Sequence, residues 1–120
     1  MGLTRLTVRV FDLARTAPPF EGEFLVDTGA IDCMVPGDQL LRAGVQPERK
    51  SVYELANGES VEYDVGFARF AFLDVETVAP VAFGPPDTEP LLGVVALESA
   101  GFIVDPGSQT IRRLRAKPLK

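Results

Sequence analysis

The sequence contains no histidine and no tryptophan, and its single cysteine is Cys33. Without histidine the chain cannot build a Ser-His-Asp or Cys-His catalytic site, and most zinc sites are excluded as well. One cysteine cannot form a disulfide within the chain. Because no histidine or second cysteine is present to activate it, Cys33 is predicted to be a buried small hydrophobic residue rather than a redox group. We therefore expect a protein that works without a metal or another cofactor.

Positive charge is also scarce, with 12 Lys and Arg against 17 Asp and Glu and a net charge of -5. A nucleic-acid partner requires a positive face, so we expect none, and we interpret the basic residues at 112–120 as a solvated strand and tail. No apolar run approaches the ~20 residues that span a bilayer. Residues 1–5 lack the pattern of a signal peptide. These absences predict a cytoplasmic protein with no membrane or nucleic-acid partner.

The 120 residues and the hydrophobic fraction of 46% are suited to one compact domain, residues 1–120. Leu6, Val8 and Val10 alternate with polar residues at the period of a half-buried strand. The apolar run 24–26 is suited to a strand buried on both faces, and residues 39–42 are predicted to form one helical turn. Further strands are predicted at residues 67–75, 78–83, 102–105 and 110–114, with a turn near residues 74–76 and another at Pro106-Gly107.

The strongest turn signal is Asn57-Gly58, which lies between the β-rich runs 52–55 and 61–65. Both residues tolerate the positive φ of a tight turn, so a hairpin is predicted here. A short helix is predicted over residues 94–100, and Gly101 is expected to end it. Strands joined by tight turns, with one short helix near the C-terminus, predict an all-β fold.

Two segments carry a more specific signal. In residues 24–30 an apolar strand runs into Asp-Thr-Gly-Ala, and in residues 90–93 two leucines and a glycine precede the predicted helix. With the hairpin between them, these segments resemble the retroviral-type aspartic proteases (retropepsins) and their cellular and bacterial relatives, over residues 3–114. An isolated Asp-Thr-Gly is a weak signal and commonly marks only a turn after a strand. The resemblance implies a single-domain retropepsin-like acid protease barrel.

The resemblance also implies an aspartic endopeptidase that acts on a peptide or protein substrate. Two carboxylates at close range cannot both ionise easily, so one of them keeps a proton. The ionised member can take a proton from water while the protonated member polarises the substrate carbonyl. The chain contains one Asp-Thr/Ser-Gly motif, at Asp27. The second carboxylate must then come from another copy on a two-fold axis, which predicts a homodimer.

The family's roles carry over by position. Asp27 is expected to catalyse, Thr28 to hydrogen-bond across the dimer axis, and Gly29 to let the backbone pass close to substrate. Gly93 is expected to pack beneath the active-site loop. The residues expected to contact substrate are Ala30, Ile31 and Asp32 on the floor of the cleft and Ala56, Asn57 and Gly58 at the tip of a flap that excludes water. Two alternatives stay open: Asp32 either binds a substrate amide or caps its loop, and Asn57-Gly58 is either the flap tip or an ordinary surface turn.

The sequence departs from the retroviral pattern at two linked positions. Many retroviral members have an acidic residue at the position of Ile31 and an arginine at the position of Val94, and the two side chains pair and brace the dimer. Losing one alone would leave an unpaired charge, which is costly when buried. Since both are apolar here, we hypothesise that an apolar contact replaces the ion pair. The chain also continues beyond residues 102–104, near which retroviral members end, so the dimer contact is either built differently or not formed in isolation.

Three functions are therefore compatible with the sequence. The first is an endopeptidase of broad specificity, and the second is a protease that processes one partner protein. The third is a catalytically silent module of the same fold that binds peptides. The intact motif at 27–29 argues against the third function, whereas the exchange at Ile31 and Val94 keeps it open.

Overall fold

The computed structural model describes residues 4–105 and 107–119, so residues 1–3, Lys120 and the Pro106 half of the predicted turn lie outside it. Within these ranges the chain is mostly β, with nine strands and two short helices. In chain order the elements are β1 (Arg5–Phe11), β2 (Phe20–Val26), β3 (Cys33–Pro36), α1 (Gly37–Arg42), β4 (Arg49–Glu54), β5 (Ser60–Phe72), β6 (Val75–Gly84), β7 (Leu91–Leu92), α2 (Val94–Ser99), β8 (Phe102–Asp105) and β9 (Thr110–Arg113).

The helix α1 corrects the prediction of a single short helix. It covers six residues rather than one turn, because Leu40 is fully buried and anchors it to the core. Asp38 in its first turn and Arg42 in its last turn match the polarity of the helix dipole. The second helix, α2, ends as predicted, since Gly101 follows it with a φ of +91°. Neither described helix is long and apolar enough to cross a membrane.

Seven of the strands form one mixed sheet in the order β1-β2-β7-β3-β6-β5-β4. β1 also pairs with β5, for example Val10 with Phe70, so the sheet curls round and closes into a ring. The pairs β2–β7 and β3–β6 are parallel, and the other pairs of this sheet are antiparallel. β8 and β9 form a separate antiparallel hairpin.

The hydrophobic core fills the inside of this ring. Val8 and Val10 are fully buried while Thr7 and Arg9 are exposed, as the alternation along β1 predicts. Phe24 from β2 meets Phe70 from β5 edge to face, with ring centroids 6.5 Å apart. Such aromatic pairs stabilise a core beyond the area that they bury. The other largest fully buried side chains include Leu40, Leu92, Leu97, Val35, Val45, Val65 and Val81.

β5 is longer than the sequence predicts. The predicted strands 61–65 and 67–75 join into one strand of 13 residues through Gly66. Glycine is required there because a Cβ would lie 2.5 Å from the carbonyl oxygen of Gln46. The following turn lies at Leu73-Asp74, where both residues take left-handed φ values of 51° and 64°.

The hairpin β8–β9 lies beside the start of β1. The Thr4 hydroxyl donates a hydrogen bond of 2.9 Å to the carbonyl oxygen of Gln109, which lies in the turn of that hairpin. Val104 and Ile111 pack against the main core as partly buried residues. The predicted strands near the C-terminus are thus confirmed, and they extend the structure next to the first strand.

Candidate active site

Asp27 lies at the end of β2, where a neighbouring parallel strand fixes its backbone. The Asp27 N–H donates to the Leu92 carbonyl oxygen over 3.1 Å, and Val26 and Leu92 are direct partners in the sheet. Below them, the Leu25 N–H donates to the Pro90 carbonyl oxygen over 3.0 Å. The apolar run of β2 and the Leu-Leu pair of β7 therefore meet at the point where the carboxylate leaves the sheet.

The Asp-Thr-Gly turn orients the carboxylate itself. Asp27 Oδ1 accepts a hydrogen bond of 2.9 Å from the Gly29 N–H. The Ala30 N–H donates to the Asp27 carbonyl oxygen over 3.1 Å and closes the turn. Asp27 is half-buried, whereas Thr28 and Gly29 are exposed. The carboxylate is thus held from behind and open to solvent in front.

Gly93 packs directly against the far side of the same loop. A Cβ on Gly93 would lie 2.5 Å from the Asp32 carbonyl oxygen and 2.6 Å from that of Ile31. The next two residues continue the contact, since the Val94 N–H donates to the Ala30 carbonyl oxygen over 2.8 Å and the Val95 N–H to that of Ile31 over 3.2 Å. The start of α2 and the loop of residues 27–32 are therefore built as one unit. This loop is called the catalytic loop, after the role that we propose for it below.

The predicted hairpin is confirmed as β4–β5. Its turn runs over residues 55–59, where the Gly58 N–H donates to the Leu55 carbonyl oxygen over 2.9 Å. Gly58 takes a φ of +88°, and the Asn57 side-chain oxygen accepts the Glu59 N–H over 2.9 Å. Ala56, Asn57 and Gly58 are all exposed, and the hydrogen bonds named here stay within the turn. The hairpin, called the flap below, thus presents a free tip.

Two solved structures share this architecture. The first, a foamy viral protease-reverse transcriptase in complex with an RNA/DNA hybrid, matches 80% of this chain at 20% identity with a TM-score of 0.59. The second, the simian foamy virus (mac) protease in solution, matches 79% at 20% identity with a TM-score of 0.52. The chain has the retropepsin fold. It spans 12% of the first matched chain and 92% of the second.

The structure and two short sequence motifs, rather than overall sequence similarity, identify the retropepsin fold. No protein-family model matches the sequence, and no curated protein matches it either. At 20% identity the two foamy viral structures show a shared fold. The predicted all-β barrel holds in its outline, as a mostly β ring of mixed strands with two short helices.

A contact between flap and catalytic loop was not predicted. The Tyr53 hydroxyl on β4 donates a hydrogen bond of 2.7 Å to Asp32 Oδ2. Both residues are half-buried. Burial, and secondly the hydrogen bond to Asp32, raises the pKa of the Tyr53 phenol well above its usual range. The sequence contained one signal for this contact, because alternation along β4 places Ser51 and Tyr53 on the same, inward face.

A cleft of about 230 Å³ is lined by Asp27 and Thr28. It joins the end of β2 to the hairpin β8–β9, which contributes Val104 and Gln109. Thr4 forms part of its wall as well. The hairpin that follows residue 101 therefore lines the same cleft as Asp27 and Thr28.

The positions of Ile31 and Val94 bear on the hypothesis of an apolar substitute for the ion pair. The two residues are neighbours through the backbone, since the Val95 N–H donates to the Ile31 carbonyl oxygen over 3.2 Å. Val94 is half-buried. The Ile31 side chain is nevertheless 68% exposed, so most of its apolar surface is uncovered in a single chain.

Cys33 is buried, as predicted. It is 1% exposed, and burial raises the pKa of its thiol to about 12. Its sulfur accepts a long hydrogen bond of 3.4 Å from the Gly93 N–H. A thiol with so high a pKa and so little exposure is inert towards electrophiles. Cys33 therefore supports the floor of the site by packing.

Proposed function

We propose that this protein is an aspartic endopeptidase in which Asp27 from each of two identical chains forms the catalytic pair. The observation that carries the proposal is the environment of Asp27. Its backbone is fixed by a hydrogen bond to Leu92, and its carboxylate is oriented by the Gly29 N–H. The residue is only half-buried, so the carboxylate can reach a substrate from the solvent side. A preorganised carboxylate at the end of a strand, on a loop that the flap contacts through Tyr53 and Asp32, suits acid–base chemistry on a peptide.

The proposed reaction uses one proton shared by the two carboxylates. The ionised member takes a proton from water, the water oxygen bonds to the carbonyl carbon, and the protonated member gives its proton to the carbonyl oxygen. The hydrated intermediate then loses its amine. One carboxyl group donates a proton to the leaving nitrogen as the C–N bond breaks, while the other carboxylate accepts a proton from an intermediate hydroxyl. The pair ends as it began, with one proton between its members.

A symmetric dimer would account for surface that a single chain leaves open. Ile31 is apolar and mostly exposed on the same loop as the exposed Thr28. A two-fold axis close to Thr28 would bring two such loops together and cover both isoleucines. The arrangement also supplies the second carboxylate, because the chain carries one Asp-Thr/Ser-Gly motif.

The substrate that we propose is an extended peptide or a segment of a partner protein, bound between flap and floor. The flap offers an exposed apolar side chain at Leu55. The floor offers Ala30, Ile31 and Asp32. Apolar residues next to the cleaved bond would suit these walls. We also propose that the protein works as one domain over residues 1–120, in the cytoplasm and without a cofactor.

The proposal is tested by cleavage of an unbiased peptide library from mildly acidic to neutral pH. Wild type is compared with Asp27→Asn and with Asp87→Asn, which removes an exposed loop carboxylate instead. We expect cleavage by wild type and Asp87→Asn and none by Asp27→Asn. Specific activity should rise with protein concentration, because the active species is a dimer.

The alternative function is a silent peptide-binding module. It is supported by the exchange of the family's ion-pair positions for Ile31 and Val94. Folded wild type that cleaves nothing at any concentration, but binds members of the library, would establish the module and refute the peptidase.

A further inference from the structure

The flap is attached weakly to the rest of the sheet. β4 lies at one end of the strand order and pairs with β5. Four of its six residues are exposed, and Ser51 and Tyr53 are half-buried. From residue 54 to residue 60 every position is exposed. A segment with so little buried surface opens at low free-energy cost, so its resting position depends on the few contacts that it makes.

Tyr53 lies where the flap leaves the body of the protein. It pairs with Val61, and the last pair of the hairpin, Glu54 with Ser60, follows directly. Its ring lies beside that of Tyr63, with centroids 6.2 Å apart. The hydroxyl is therefore carried on a braced ring at the base of the free tip.

Asp32, whose carboxylate accepts the hydrogen bond from Tyr53, lies on a closely packed backbone. Asp32 is the last residue of the catalytic loop, and β3 begins directly after it. A Cβ added to Gly93 would lie 2.5 Å from the Asp32 backbone, so that backbone has little room to move. The bond of 2.7 Å thus joins a carboxylate on a closely packed backbone to a movable strand, 21 residues apart in the sequence.

The chemistry of the pair favours a durable contact. A phenol hydroxyl that donates to a carboxylate forms a stronger hydrogen bond than two neutral groups do. Partial burial of both residues protects the bond from competing water. The phenol keeps its proton throughout the neutral range and beyond it, because its pKa is raised above the ordinary value of 10.0.

We propose that the Tyr53–Asp32 hydrogen bond is a latch that holds the base of the flap at a fixed height above the catalytic loop. Tyr53 and Asp32 are then positioning residues for the reaction, acting through the flap rather than on the peptide bond. The inference rests on the proposed function for its catalytic consequence, but the latch itself is a property of the folded chain. It gives Asp32 a role besides substrate contact.

The test compares Tyr53→Phe with Tyr63→Phe, which removes a hydroxyl from the neighbouring ring of the same hairpin and retains the ring pair. Hydrogen exchange of the amides at 54–61 is measured without substrate, and peptide cleavage is measured alongside. We expect Tyr53→Phe to accelerate flap exchange and to raise KM about three- to tenfold, as the net loss of one half-buried hydrogen bond implies, with kcat changed less than about twofold. Tyr63→Phe should match wild type in both.

Two variants of the acceptor complete the test. Asp32→Ala removes the acceptor and should accelerate flap exchange like Tyr53→Phe, and the double variant should be no worse than either. Asp32→Asn retains an oxygen that can accept from Tyr53 and should restore slow exchange. Near-ultraviolet circular dichroism confirms that each variant is folded.

The outcomes separate the latch from the proposed function. Unchanged flap exchange in folded Tyr53→Phe overturns the latch, whatever the activity. Equal acceleration in Tyr63→Phe also overturns it, because the effect would then belong to the hairpin as a whole. Accelerated exchange in Tyr53→Phe alone, together with wild type that cleaves no peptide, leaves the latch standing and refutes the peptidase.

Discussion

Gly93 fits against Asp32 so closely that a single methyl group on its Cα would lie 2.5 Å from both the carbonyl carbon and the carbonyl oxygen of Asp32. Real Cβ atoms do not approach backbone atoms to this distance, and neither partner can move freely. Gly93 directly precedes α2, whose Leu97 is fully buried, and Asp32 directly precedes β3. The contact therefore links the catalytic loop to the core through the smallest residue available.

The first prediction is that Gly93→Ala destabilises the protein by about 2–3 kcal/mol, because the methyl group must displace backbone in a packed region. Gly107→Ala is the matched control, since its Cβ would come no closer than 3.4 Å to Asp105 Oδ1. Urea unfolding measures both. A Gly93→Ala variant as stable as Gly107→Ala would show that the loop and α2 are not tightly joined.

The second prediction concerns self-association. Ile31→Lys should weaken the proposed dimer at least tenfold, because a two-fold contact would bury two like charges in place of two apolar side chains. The stability of the single chain should change little, since Ile31 is 68% exposed. Sedimentation equilibrium measures the association, and Leu41→Lys on the exposed face of α1 is the control. Equal association of wild type and Ile31→Lys would place the dimer contact elsewhere.

The third prediction uses Cys33 as a reporter of unfolding. At pH 8 the native thiol should resist a thiol reagent for hours, since it is 1% exposed and burial raises its pKa to about 12. The labelling rate should rise in step with unfolding by urea. Because the folded pKa lies above the ordinary value of 9.0, this group stabilises the fold fully below pH 9 and ceases to do so as the pH rises towards 12. Fast labelling of native protein at pH 8 would contradict the packing role.

The fourth prediction concerns acid stability. Asp12 is 7% exposed and accepts hydrogen bonds from the Thr16 hydroxyl, at 2.5 Å, and from the Thr16 N–H, at 2.9 Å. The bond from the Thr16 hydroxyl is the main cause that lowers the pKa of Asp12 below its ordinary 3.8. A lowered folded pKa stabilises the protein above pH 3.8, and the stabilisation is lost as the pH falls through the folded value.

The stability of Asp12→Asn should therefore fall less steeply than that of wild type as the pH is lowered below 4, although the variant is less stable at neutral pH. The measurement is the urea midpoint as a function of pH. Asp87→Asn, at an exposed loop position, should follow the wild-type curve. Identical acid profiles for wild type and Asp12→Asn would show that the Thr16 contacts are not linked to stability.

Features of short range could be predicted from the sequence. The alternation along β1 identifies Val8 and Val10 as core residues, and both are fully buried. Asn57-Gly58 identifies the flap, and Gly101 marks the end of α2, because each depends on the conformation of one or two residues. The segment Asp27-Thr28-Gly29 likewise forms its turn through bonds between near neighbours.

The longer-range features were decided by the tertiary structure. Glycine is required at position 66, inside β5, because the backbone of Gln46 approaches it from 20 positions away in sequence. The ring closes because β1 pairs with β5. Leu92 meets Asp27 across 65 positions, and Tyr53 meets Asp32 across 21. Local propensity carries no information about such contacts, since their free energy depends on which distant residues the folded chain brings together.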